Sequence, residues 1–126
     1  MNDIDYLDQV RSRLNKAEKL FSLSCDLIAS TEYYLFQARA NLDFHEDILN
    51  GAQYVEGVDS SEIKSIISMS RIGLRYYGRQ IEKFERELED YRKIKNQAEN
   101  DWKRANSDVM RTDTADFRSY NPVEKV

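Results

Sequence analysis

From Leu7 to Leu49 a residue able to sit in a helix seam recurs at alternating steps of three and four: Leu7, Val10, Leu14, Ala17, Phe21, Ser24, Ile28, Thr31, Leu35, Ala38, Leu42, His45 and Leu49. The pattern is that of a heptad, with Leu7, Leu14, Phe21, Ile28, Leu35, Leu42 and Leu49 at a and the smaller or polar residues between them at d. A second seam runs through Ile63, Ile67, Ser70, Leu74, Tyr77, Ile81, Phe84, Leu88, Tyr91, Lys95, Ala98, Trp102, Ala105 and Val109. Gly73 and Gly78 interrupt its chemistry, each costing about 1 kcal/mol relative to Ala in a helix interior. The run of matching positions outweighs them.

Between the seams, Asn50 and Gly51 have the chemistry of a helix stop, and Asp59 with Glu62 three residues on has that of a capping box. Asp3 and Asp5 suit the positive end of the first helix. The pattern therefore predicts an all-α chain of two long antiparallel helices, a coiled-coil helical hairpin over residues 1–109. Helix one spans about 5–50, the turn 51–58 and helix two about 59–109. At 1.5 Å per residue helix one would be roughly 65 to 70 Å long. Residues 110–126, polar and holding the only Pro, read as a flexible tail, with Phe117 and Tyr120 available to fold back.

A short turn makes the helices antiparallel and brings a residues of one against d residues of the other. With Leu49 opposite Ile63 beside the turn, the next layers are His45 with Ile67, Leu42 with Ser70, Ala38 with Leu74 and Leu35 with Tyr77. Further out come Phe21 with Tyr91, Ala17 with Lys95 and Val10 with Trp102. Small residues mostly face large ones, as layers at constant helix spacing require.

The flanks of this seam differ. One edge is charged, with Arg11, Glu18, Arg39 and Glu46 on helix one against Arg71, Glu85, Arg92 and Glu99 on helix two. The other carries Leu20, Leu23, Leu27, Tyr34, Phe44 and Ile48 beside Ile66, Met69 and Tyr76, an apolar stripe that an isolated hairpin leaves in water. About ten such side chains, half buried on association, give on the order of 10 kcal/mol gross, against an association cost of ~4 to 15 kcal/mol. The expectation is a homodimer that pairs through this face into a four-helix bundle with the turn-proximal halves inside. Tyr33, Phe36 and Tyr54 lie outside the seam, on the outer face or in the turn, and are candidate contacts for a protein partner.

Composition narrows the function classes. The 126 residues carry a net charge of -4, which argues against a nucleic-acid protein because phosphate binding is driven by cationic side chains releasing counterions. The stripe Arg71, Arg75, Arg79, Lys83 and Arg86 is diluted by Glu82, Glu85, Glu87 and Glu89. Cys25 is the single cysteine, so no internal disulfide forms, and a reducing, cytoplasmic setting is expected. The acidic N-terminus lacks the apolar run of a secretory signal, and no segment reaches the roughly 20 apolar residues of a membrane span.

Candidate chemistry is sparse. His45 is the only histidine, and the residue three before it is Leu42 rather than the Glu that a bundle metal site needs. His45 and Lys95 read as polar seam residues that fix register. No phosphate-binding Gly loop, zinc spacing or nucleophile elbow is present. The sequence thus points to a non-enzymatic interaction module without metal or cofactor: a scaffold, adaptor or chaperone-like hairpin binding a partner through its apolar flank, turn or tail. The alternative is a nucleic-acid-associated protein using the basic stripe.

Overall fold

In the computed structural model the described residues are 3–52, Tyr54 and 61–120, with side chains described from Ile4 to Arg111. Two helices account for them: α1, Asp3–Ala52, of 50 residues, and α2, Ser61–Tyr120, of 60 residues. The capping Asp59, most of the predicted turn and residues 121–126 lie outside the described residues, as do the side chains of Phe117 and Tyr120. Helix α1 runs two residues beyond its expected bounds at each end, and α2 runs beyond its expected C-terminal bound. Gly51 is the penultimate residue of α1 rather than its stop, a shift within the usual one- or two-residue spread of helix ends. α2 continues past Val109, because the polar run after it holds no helix breaker until Pro122.

Packing divides the chain into two units. The terminal unit comprises residues 1–26 and 91–126, and the turn unit comprises Leu27–Asp90. In each, α1 packs against α2 along the predicted seam. Every seam residue of both helices is buried or half-buried. The most deeply buried are small: Val10, Ala17, Ser24, Ala98 and Ala105 in the terminal unit, and Thr31, Ala38 and Ser70 with Leu35 and Leu88 in the turn unit. Small side chains let two backbones approach, and the large a residues other than Leu35 and Leu88 are half-buried. Buried hydroxyls need partners in such a seam. That of Ser24 donates to the Leu20 carbonyl at 2.7 Å, the one-turn back-bond open to a helical serine.

The register differs from the expected one by about a heptad. In the terminal unit, Trp102 donates its indole N–H to Glu18 Oε1 at 2.9 Å rather than sitting level with Val10. The Lys95 ammonium lies 5.7 Å from the centroid of the Phe21 ring rather than over Ala17. Arg13 meets Asp108 at 3.3 Å. In the turn unit, Phe84 stacks on Tyr34, with centroids 6.0 Å apart, and His45 stacks on Tyr77 rather than facing Ile67. A seven-residue slide preserves every a-to-d pairing, so periodicity is equally content with either alignment. Gly73 distinguishes them. A Cβ built there would come within 2.7 Å of His45 Cε1 and closer still to two other ring atoms, so the observed register seats the imidazole in a socket only Gly leaves open.

Candidate interaction surface

The turn unit builds its most distinctive surface from rings. His45, half-buried in the seam, lies 3.3 Å by its Nδ1 from Ser70 Oγ and stacks on Tyr77 at 5.7 Å and 21°. Phe44 packs edge-on against His45 at 5.4 Å, and Tyr76 edge-on against Tyr77 at 5.0 Å. The result is a chain of four rings crossing from α1 to α2, its two inner members in the seam and its two outer members, Phe44 and Tyr76, exposed. Edge-to-face contacts of this kind suit the quadrupoles of aromatic rings. They also hold the outer rings in place. A second ring set joins Tyr33, Tyr34 and Phe84: Tyr33 meets Tyr34 edge-on at 5.8 Å, and the Gln37 amide donates to the Tyr33 hydroxyl at 2.7 Å.

Of the residues expected on the apolar flank, seven are exposed and two half-buried. Tyr34, Phe44, Ile66, Met69 and Tyr76 of the turn unit are 51–66% exposed; Leu27 and Ile48 are half-buried. Leu20 and Leu23 are exposed in the terminal unit. Tyr33 and Phe36 are exposed as well, and Tyr54 is the most exposed large apolar side chain described, at 91%. Ile72 was not anticipated. It is exposed, three residues from Met69 and four from Tyr76, a helical spacing that could have drawn attention to it.

The residues of the charged edge find partners both across the seam and along one helix. Arg39 and Glu85, both assigned to it, pair at 3.0 Å in the turn unit. In the terminal unit Lys103 pairs with Glu99 at 3.3 Å along α2, while Glu18 is engaged by Trp102. Of the basic stripe on α2, Lys83 is drawn to Glu87 at 3.9 Å and lies 5.9 Å from the Phe84 centroid. The Lys95 ammonium rests over Phe21. Cys25 is a half-buried thiol.

Two grooves are lined by described residues of the terminal unit. One, of about 390 Å³, is lined by Arg13, Lys16, Ala17, Leu20, Asp101 and Arg104. The other, of about 330 Å³, lies between Glu18, Phe21, Glu99, Trp102 and Lys103. Among the described residues no group of three or more His, Cys, Asp or Glu side chains is placed to hold a metal ion, and no helix is long and apolar enough to cross a membrane.

No family model, curated protein or solved structure matches this chain.

Proposed function

We propose that this protein is a non-enzymatic interaction module, a scaffold or adaptor that pairs with a second copy through the apolar flank of its turn unit to form a four-helix bundle. The observation that carries the reading is the exposure of Tyr34, Phe44, Ile66, Met69 and Tyr76 on one flank of a seam whose deepest residues are small. Aromatic side chains present about 150–250 Å² each, so the exposed parts of these five amount to on the order of 500 Å² per copy. A symmetric pair would bury roughly 1,000 Å², the size at which an interface becomes specific. The clamped outer rings favour binding too, since ordered side chains lose little further entropy on association.

A nucleic-acid role for the Arg71-to-Arg86 stripe has less support, because Lys83 is already taken up within α2. The test is light scattering of the intact chain beside a Met69→Glu, Tyr76→Glu variant. The wild type should have the mass of a pair and the variant that of one chain with unchanged helicity. A wild type with the mass of one chain would remove the reading.

A further inference from the structure

The larger groove of the terminal unit has an unbalanced charge. Its lining holds three cations, Arg13, Lys16 and Arg104, against one carboxylate, Asp101, which accepts from the neutral Gln97 amide at 3.0 Å; Arg13 is held by Asp108, whereas Lys16 and Arg104 have no ion-pair partner among the described residues. These two cations come from different helices and stand over a floor of Ala17 and Leu20. A ligand for this groove needs an apolar side chain for the floor and carboxylates at helical spacing for the rim. At about 390 Å³ the groove is at the small end of binding pockets, enough for one or two side chains.

The turn unit carries one stretch of that description. Asp43 and Asp47 lie one turn apart on α1, beside Phe44 and Ile48 at the same spacing. Both carboxylates are exposed and, with Glu46, have no ion-pair partner among the described residues. The Phe44 ring is 59% exposed. On the α2 flank Ile66 and Met69 have no pair of carboxylates beside them, and Ile72 and Tyr76 are bordered by cations, Ile72 by Arg71 and Arg75 and Tyr76 by Arg75 and Arg79. Those would be repelled by Lys16 and Arg104.

We propose that the Arg13, Lys16 and Arg104 groove of one copy receives the Asp43-to-Ile48 segment of a second copy, Phe44 on the Ala17 and Leu20 floor and Asp43 and Asp47 against Lys16 and Arg104. This rests on the self-association reading above and sets the turn unit of one copy against the terminal unit of the other, so that the apolar flank is covered by the second copy's terminal unit. Opposite charges at such a contact select the orientation of approach and reject the like-charged alternatives.

The test uses the full chain in sedimentation velocity, with two charge reversals, Lys16→Glu with Arg104→Glu and Asp43→Lys with Asp47→Lys. Each variant alone should self-associate at least about tenfold more weakly than wild type, and an equimolar mixture of the two should recover association, because each reversed groove then finds a reversed segment. In the wild type, zero-length carbodiimide coupling of a mixed light and heavy-isotope sample should join Lys16 of one copy to Asp43 or Asp47 of another. Wild-type association in both variants, or cross-links between copies that omit Lys16, overturns the groove contact and leaves self-association standing. A wild type that stays monomeric throughout overturns both.

Discussion

Replacing Gly73 by Ala reverses the usual sign of a helical Gly-to-Ala change. In a helix interior that substitution ordinarily stabilises by about 1 kcal/mol, and at Gly78 nothing obstructs it, since a Cβ there meets no atom within 4 Å. At Gly73 the new methyl collides with the His45 ring, which is fixed by Tyr77, Phe44 and Ser70. Displacing that ring forfeits one hydrogen bond, about 1 kcal/mol, and the aromatic contacts, about another. The net loss at Gly73 is therefore about 1 kcal/mol, and the two alanine variants should differ by about 2 kcal/mol. In thermal denaturation followed by helical circular dichroism, at one fixed chain concentration, their midpoints should separate by on the order of 8 °C. Adding His45→Ala should turn Gly73→Ala stabilising, a coupling that a double-mutant cycle reads directly. If Gly73→Ala stabilises as much as Gly78→Ala, the socket and the register argued from it are wrong.

Other expectations follow from named contacts. Ser24→Leu puts a large side chain at a seam position only 1% exposed and should cost about 1–3 kcal/mol by urea denaturation, whereas Ser24→Ala should change stability by less than about 1 kcal/mol. Glu18→Leu removes the acceptor of the Trp102 indole N–H and should alter emission from the single Trp while lowering stability by about 1 kcal/mol or less. The Arg39–Glu85 pair is half exposed on both sides, so Arg39→Ala should cost no more than about 1 kcal/mol, and raising salt should shrink that difference.

The sequence was most informative where a physical period was at stake. Steps of three and four placed every seam residue, because burial along a helix repeats with the geometry of the helix itself. The apolar flank was legible for the same reason: Phe44 and Tyr76 stand one position from seam residues. Alignment of the two seams was not, since sliding one by a heptad leaves like positions facing like. Gly73 held the missing information. Read along the chain it is a weak point in α2; read across the seam it is the space His45 occupies. The polar composition after Val109 does not mark the end of α2, because polarity alone breaks no backbone hydrogen bond. The groove with Lys16 and Arg104 joins residues nearly ninety positions apart and became visible only with the register in hand.

A second copy covering the exposed flank is the central claim made for this molecule. Sedimentation equilibrium of the intact chain, from low to high micromolar concentration, measures this directly. The apparent mass should rise with concentration from the 14.9 kDa of one chain toward twice that mass. A constant mass of one chain across the range would contradict it.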